Sequence, residues 1–229
     1  MARDTLVRQL SQVQDQILVL GSMVGQATLD AVTALKTKNM ELAKAVYRRD
    51  QLVNEKRFSI ENAIIIIMAT QQPMARDLRL LSSQLEINTE LERMGDYAKG
   101  IAKVTLKIGD SDIGFDLPEL EQMATLGASM LHRSLTTFID LDTAAALAIP
   151  REDDEVDRLF DIAYRKVLDA MIASPEKIDV LNYYVWALHN LERMADRVTN
   201  ICERTVYITT GELFEVDSMD DEDLQESDY

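Results

Sequence analysis

Two short acidic motifs, one hundred positions apart, carry the side chains of this 229-residue chain that are best placed for chemistry. Glu92 and Asp96 lie in a Leu-Glu-Arg-Met-Gly-Asp motif. Glu192 and Asp196 lie in a second copy, which differs only by Ala in place of Gly. Residues four apart share one face of a helix, so each motif brings two carboxylates together. Carboxylate oxygens bind hard divalent cations and iron, and the motifs therefore predict metal sites.

Each pair also has a plainer interpretation, in which it belongs to a solvated helix face with arginine and lysine side chains as partners. For one isolated pair this alternative is the stronger, because exposed charges are usually inert. The repetition favours the metal interpretation, since a solvated surface does not need the same acids twice. The helical periodicity places both pairs mostly outward, which argues against a buried catalytic site.

A second acidic stripe precedes the second motif, and it consists of Asp153, Asp154, Asp157 and Asp161. One interpretation makes Asp153 and Asp157 additional metal ligands that reach toward the following helix. The alternative is an acidic first turn, which the helix dipole favours. The sequence alone leaves both interpretations open.

Signatures of most enzyme classes are missing from the chain. Neither histidine, His132 or His189, follows a glutamate by three positions, so the Glu-x-x-His pair of di-iron carboxylate oxidases is absent. We expect both histidines to be structural. The lone Cys202 excludes an intramolecular disulfide and a cysteine-based zinc site, and we expect it to fill the core. A non-enzymatic protein is favoured; a carboxylate-bridged metalloenzyme and a metal-free helical adaptor are the alternatives.

The charge of the chain is strongly negative, with 40 acidic and 24 basic residues and a net charge of −16. This balance argues against binding to nucleic acid, whose phosphates attract lysine and arginine. Nine acids and no base fall within 212–229, which predicts a disordered acidic tail. The longest apolar run, 63–69, is far shorter than the roughly 20 residues of a membrane span. No apolar signal core begins the chain, and we expect a cytoplasmic protein.

Apolar residues recur in steps of three and four along most of the chain, which is typical of long packed helices. The predicted helices are about 4–36, 40–70, 75–108, 117–141, 143–172 and 175–210. Asn39, Asp116, Asp142 and Ser174 are the expected N-caps, Asp116 through its capping-box spacing with Glu119, and Pro150 predicts a kink in the fifth helix. The run of four isoleucines, 64–67, covers every side of its helix and predicts a segment surrounded by neighbours.

The two halves of the chain match helix for helix, at an offset of 103 residues that falls to 100 after the second turn. The predicted fold is all-α, with six long antiparallel helices arranged as two tandem three-helix bundles related by pseudo-twofold symmetry. The predicted parts are a first repeat at 1–109, a linker at 110–116, a second repeat at 117–211 and the acidic tail at 212–229.

The segment Met68-Ala-Thr-Gln-Gln-Pro-Met-Ala-Arg-Asp-Leu-Arg79, followed by the first acidic motif, resembles the first half of the PhoU family of phosphate-uptake regulators. The second acidic motif is similar to the second repeat of that family. The resemblance covers about 1–211 and implies the PhoU-like six-helix fold. It also implies that the acidic motifs bind iron, zinc or another divalent metal, with Glu92, Asp96, Glu192 and Asp196 in those positions.

The same resemblance implies a function. Family members are cytoplasmic, often dimeric, non-enzymatic negative regulators. They connect the ATPase of a phosphate ABC transporter to a phosphate-sensing histidine kinase. Their own association with the membrane is at most peripheral. The sequence departs from the family pattern at Ser174-Pro-Glu-Lys177, which replaces the Gln-Gln-Pro turn, and in its acidic tail.

Overall fold

The computed structural model describes residues 2–213, so all but the first two residues of the predicted tail lie outside the described part. Seven α-helices fill this range: α1 (Ala2–Thr37), α2 (Met40–Gln71), α3 (Arg76–Ile108), α4 (Glu119–Asp140), α5 (Thr143–Ala148), α6 (Asp153–Ala173) and α7 (Ile178–Thr210). No strand occurs between residues 2 and 213, and the all-α prediction is confirmed. The predicted linker falls within the non-helical connection between α3 and α4.

The predicted fifth helix is interrupted, and it forms both α5 and α6. Asp142 caps α5, because its Oδ1 accepts a hydrogen bond from the backbone N–H of Ala145 at 3.0 Å. Pro150 has no N–H to continue the helix, and Ile149–Glu152 form a 3-10 turn before α6 begins. The predicted kink is therefore confirmed as a break between two helices.

Of the other predicted caps, Asp116 is wrong, because the N-cap position of α4 is Pro118 and no side chain caps this helix. Asn39 and Ser174 behave differently from each other. Asn39 caps α2 as expected, with its Oδ1 accepting from the N–H of Leu42 at 3.0 Å. Ser174 makes no side-chain cap bond, and that prediction is wrong. The reason is local: the carbonyl of Ser174 accepts from the N–H of Lys177 at 2.9 Å, which forms a 3-10 turn ahead of α7.

Helices α1, α2 and α3 pack as one three-helix group, and α4, α6 and α7 form the other. Among the described helices, the most extensive contact joins the groups, between α3 and α7, and α1 also packs along α4. The buried apolar side chains form one continuous cluster that runs through both groups. The repeats therefore share a core, which fixes the acidic motifs of α3 and α7 relative to each other.

The crossing of α3 and α7 shows the pseudo-twofold relation directly. Asn200 Nδ2 donates to Glu90 Oε2 at 3.2 Å. The repeat-equivalent positions of these residues are Gly100 and Asn190, and they also meet: a Cβ built on Gly100 would lie 3.1 Å from Asn190 Oδ1. The contact between positions 90 and 200 thus has a counterpart between positions 100 and 190, as at an isologous interface. Helices α3 and α7 are therefore antiparallel and related by a pseudo-twofold axis.

A second equivalent pair of positions keeps its ion pair but exchanges the charges. In the first repeat, Arg49 Nη1 lies 3.0 Å from Asp30 Oδ2. In the second repeat, 103 residues on, Arg133 Nη1 lies 2.5 Å from Glu152 Oε1. The scaffold of the repeat is thus retained while the chemistry of its surface has diverged.

The isoleucine run of α2 departs from the prediction. Ile64 and Ile67 are buried, but Ile65 and Ile66 are 52% and 49% exposed. Among the described elements α2 packs only against α1 and α3, so it lies at the edge of its group and buries one stripe. The expectation of neighbours on every side was wrong because the pattern of one helix does not reveal its place in the bundle.

One helix of the described part, α1, is long and apolar enough to cross a membrane by length and composition. In the structure it packs against α2, α3 and α4, and Ile17, Leu20 and Val24 have no solvent exposure. A buried helix at the centre of a bundle can be equally long and apolar, so packing accounts for the composition of α1.

Candidate carboxylate site

The two acidic motifs lie at equivalent depths in α3 and α7. In both, the leucine and methionine are buried, the glutamate (Glu92 or Glu192) is half-buried, and the aspartate (Asp96 or Asp196) is exposed. The predicted outward orientation therefore holds fully for the aspartates and in part for the glutamates. The neighbours supplied by α2 and α6 differ between the repeats, and they decide what each pair can do.

In the first repeat a lysine lies between the carboxylates. Lys99 Nζ is 2.5 Å from Oδ2 of the buried Asp50 on α2 and 3.6 Å from Oδ1 of Asp96. Asn54 Nδ2 also donates to Asp50 Oδ2 at 3.1 Å. The hydrogen bond to Asp50 raises the pKa of Lys99, so its positive charge is held at this position. An ammonium group therefore lies between Asp50 and Asp96 in the first repeat.

Glu92 lies at the side of this arrangement. Partial burial raises the pKa of its carboxyl, and repulsion from Asp96 raises it further. The nearby charge of Arg57 acts in the opposite direction. Glu92 is therefore a carboxylate whose charge the protein incompletely compensates.

In the second repeat three carboxylates, Asp157, Glu192 and Asp196, interact electrostatically with one another. Partial desolvation raises the pKa of Asp157 on α6, and Glu192 adds to the shift. Partial desolvation likewise raises the pKa of Asp196, with contributions from Glu192 and Asp157, although Arg197 opposes them. The position of Lys99 is taken here by Thr199, which has no charge. Three carboxylates from two helices thus share one region of negative potential.

A histidine lies beside this group, and the sequence analysis gave it no site role. His189 Nδ1 is 2.9 Å from Glu192 Oε2, and its ring centroid is 4.8 Å from that of Phe160. The signal that could have identified it is the i, i+3 spacing from Glu192 on a helix. The contact fixes the orientation of the glutamate and offers a nitrogen donor near the carboxylates.

Asp153 precedes Asp157 by one turn of α6. It lines a polar cavity of about 410 Å³ between α3, α6 and α7, which Asp196 and Glu90 also line. Asp196 therefore connects the cavity to the carboxylate group, which explains why an exposed side chain is partly desolvated. Of the predicted ligands, Asp157, Glu192 and Asp196 interact electrostatically with one another, and Asp153 shares the cavity with Asp196.

The described residues contain no ready-made set of three His, Cys, Asp or Glu side chains that could hold a metal ion as they lie. The donor types at Asp157, Glu192 and Asp196 nevertheless suit a hard cation or iron. Binding there would require side-chain rotation. Their mutual repulsion is the feature of the site that a cation would relieve.

The chain is similar to proteins of known family along both repeats. The PhoU domain model matches 17–105 and 120–205, which include every predicted ligand. A phosphate-specific transport system accessory protein PhoU homolog of Streptococcus pneumoniae serotype 4 is 32% identical over 208 residues, covering 91% of this chain and 96% of that protein. The phosphate-specific transport system accessory protein PhoU of Escherichia coli K12 is 32% identical over 206 residues, covering 90% and 86%.

Solved structures give the same result. The crystal structure of the phosphate transport system regulatory protein PhoU from Streptococcus pneumoniae superposes with a TM-score of 0.84 at 31% identity, covering 91% of this chain and 99% of that one. PhoU from Pseudomonas aeruginosa superposes with a TM-score of 0.84 at 30% identity, covering 90% and 99%. The likeness therefore extends over the complete arrangement of helices.

Proposed function

Because the chain belongs to the PhoU family, we propose that it is a cytoplasmic, non-enzymatic negative regulator of phosphate uptake and of phosphate-starvation signalling. The observation that carries the proposal is the likeness to phosphate transport accessory proteins over about nine-tenths of the chain, in sequence and in fold. The regulator docks on the ATPase of a phosphate ABC transporter and on a phosphate-sensing histidine kinase, peripherally to the membrane.

The difference in charge between the two repeats supports the proposal that the protein has two different partners. Helices α2 and α3 carry 11 basic and 9 acidic residues, whereas the equivalent segment 143–210 carries 8 basic and 12 acidic residues. The pseudo-dyad thus presents two surfaces of similar shape and opposite charge. Complementary potential guides partner choice and association rate, so each surface suits a different protein.

Deletion of the gene tests the regulatory role. We expect phosphate-starvation genes to be induced, and phosphate uptake to rise, in cells grown with abundant phosphate. Expression of the full chain should restore repression. Unchanged uptake and unchanged gene expression in the deletion strain would overturn the proposal.

The second repeat is the proposed metal site. Asp157, Glu192 and Asp196 would hold a divalent cation or iron, zinc included, whose positive charge would offset their repulsion. The pair Glu92 and Asp96 belongs to the predicted ligand set but lies in the first repeat. Asp153, also in that set, lines a cavity together with Asp196. In the first repeat the ammonium of Lys99 lies where a cation would be needed, between Asp50 and Asp96.

Elemental analysis of protein purified without chelator or added metal tests the site. We expect one ion per chain, which is lost in the Asp157→Asn/Asp196→Asn variant. The matched control is Asp50→Asn/Asp96→Asn, which removes two aspartates from the first repeat, where Asp96 is the equivalent of Asp196 and Asp50 the equivalent of Asp153, and it should keep the ion. Equal metal content in all three proteins would contradict the assignment.

Homodimerisation stays a prediction, which sedimentation velocity checks.

A further inference from the structure

A cavity lined mainly by apolar side chains lies between α1, α2 and α3 of the first repeat. It has a volume of about 360 Å³, and its apolar walls are formed by Met23, Ala27, Val46, Leu52, Val53 and Gly95. Val46 and Val53 are buried, whereas Leu52 is 54% exposed, so the cavity opens to the surface beside Leu52. Sites for small molecules measure about 300–1,000 Å³ and are also lined mainly by apolar side chains. The cavity is therefore large enough for a small ligand.

The second repeat carries larger side chains at the equivalent positions. Positions 27, 46 and 95 hold Ala, Val and Gly, whereas their equivalents at the offsets of 103 and 100 residues are Met130, Ile149 and Ala195. Met130 and Ala195 have no solvent exposure, and Ile149 is 4% exposed. Protein interiors are close-packed, and unfilled apolar space costs stability. The scaffold therefore permits this space to be filled, and the first repeat leaves it open.

The charged groups that line the cavity are already paired within the protein. Arg49 Nη1 lies 3.0 Å from Asp30 Oδ2. Asp50 Oδ2 lies 2.5 Å from Lys99 Nζ. A charged ligand would find no free charge of opposite sign here, and an unpaired charge is costly in apolar surroundings. The cavity therefore favours a neutral ligand.

Two side chains of α1 offer hydrogen-bond acceptors at the edge of the cavity. Ser22 and Gln26 line it one helical turn apart, and both are exposed. Gln26 Nε2 donates to Asp30 Oδ1 at 2.8 Å, which leaves its Oε1 as an acceptor. Within residues 2–213, no side chain bonds to that oxygen or to the hydroxyl of Ser22. An N–H or O–H group of a ligand can donate to either acceptor.

Two other wall residues favour an aromatic ligand. Met23 carries a thioether, and sulfur makes favourable contacts with the edges of aromatic rings. Arg49 carries a planar guanidinium, which can stack on a ring while it keeps its ion pair with Asp30. A rigid ring also loses little conformational entropy on binding. We propose that the cavity binds a small neutral aromatic compound, with one N–H or O–H donor directed at Ser22 and Gln26.

A ligand in this cavity contacts the surroundings of the first acidic motif. Gly95 directly precedes Asp96, and Asp50 binds the same lysine, Lys99, that lies near Asp96. Because the cavity exists only in the folded chain, binding stabilises the packing of α1, α2 and α3 around it. The site is independent of the role in phosphate regulation and of the metal site in the second repeat, so these proposals stand or fall separately.

Methyl NMR spectroscopy of the full chain, with indole as the probe, tests the site. Indole is neutral and aromatic and carries one N–H donor. We expect saturable shifts of the methyl signals of Ala27, Val46 and Val53. The methyl signals of Met130 and Ile149, at the equivalent positions of the second repeat, should not move. No shift up to the solubility limit of indole, or equal shifts in both repeats, would overturn the proposal.

Variants that narrow the cavity separate binding there from binding elsewhere. Ala27→Met introduces the side chain that position 130 already carries, and it should abolish the indole-induced shifts of Val46 and Val53. The matched control Val19→Met adds the same side chain at a position of α1 that is 52% exposed, and it should leave binding unchanged. Unmoved signals of Met130 and Ile149 show that a variant is folded. If Ala27→Met does not fold, Val46→Ile, a smaller change toward the second repeat, should lower the affinity for indole. Undiminished affinity in a folded cavity variant contradicts the proposal.

Three analogues of indole test the chemical class of the ligand. Indole-3-carboxylate and tryptamine add a negative and a positive charge to the same ring system, and neither should cause shifts at the concentration at which indole saturates the site. 1-Methylindole lacks the donor and should bind about two- to tenfold more weakly, because one hydrogen bond is lost. Affinity equal to that of indole for any of the three would overturn the proposal.

Discussion

Asn200 on α7 donates a hydrogen bond to the buried carboxylate of Glu90 on α3, with Nδ2 and Oε2 3.2 Å apart. Arg93 Nη1 also donates to Glu90, at 2.7 Å, and Arg197 Nη1 lies 3.5 Å away. The equivalent pair across the pseudo-dyad, Asn190 and Gly100, lacks a carboxylate. One side of the crossing is therefore held by a polar network and the other by close packing.

The first prediction concerns this asymmetry. Glu90→Ala should lower the free energy of unfolding by about 2 kcal/mol, because it removes a buried acceptor and leaves its donors without a partner. Asn190→Ala, the matched change on the other side, should cost less than about 1 kcal/mol, since it removes one neutral side-chain bond, to the carbonyl of Trp186. Urea unfolding measures both. Equal losses of unfolding free energy in the two variants would contradict the role of the polar network around Glu90.

The second prediction concerns close approach between α1 and α4. A Cβ at Gly21 would lie 2.1 Å from Cδ1 of the buried Leu135, whereas a Cβ at Gly25 would meet Leu131 at an ordinary 3.9 Å. Gly25→Ala should stabilise the protein by up to about 1 kcal/mol through helix propensity. Gly21→Ala should instead destabilise it by about 1–3 kcal/mol, because Leu135 must move within the core. Thermal unfolding compares the two; a more stable Gly21→Ala would show that the helices are not this close.

The helices and their repetition were predictable because apolar periodicity is a local property. The same holds for the caps at Asn39 and Asp142, whose hydrogen bonds lie within four consecutive residues. The exposure of Ile65 was not predictable, since it depends on which helices pack against α2. The position of Lys99 in the first repeat was also not predictable, because Lys99 and Asp50 are 49 positions apart and meet only in the folded protein.

The third prediction follows from the raised pKa of Asp157. A carboxyl with a raised pKa binds its proton more tightly in the folded state, so stability falls as pH rises through the window between the unfolded and folded pKa values. In chelator-treated protein, Asp157→Asn should therefore raise the Tm at about pH 7, where the penalty is complete. The gain should disappear below about pH 4, where both states are protonated.

The control for this change is Asp169→Asn on the same helix. It removes the same formal charge, but Asp169 does not contribute to the pKa shift of Asp157 or Asp196. Its effect on the Tm at about pH 7 should be small. A lower Tm for Asp157→Asn at neutral pH would show that the carboxylate is stabilised by an unseen donor.

The fourth prediction converts the first site into a copy of the second. Lys99→Thr removes the ammonium from between Asp50 and Asp96, and Asn54→Asp supplies the carboxylate that Asp157 provides in the second repeat. The double variant should bind two divalent ions per chain where the natural chain binds one, as measured by titration calorimetry with manganese. Lys99→Arg keeps the positive charge and should leave the stoichiometry at one. If the double variant gains no ion and remains folded, carboxylates at these positions are insufficient for a site, and the charge of Lys99 is not what separates the two repeats.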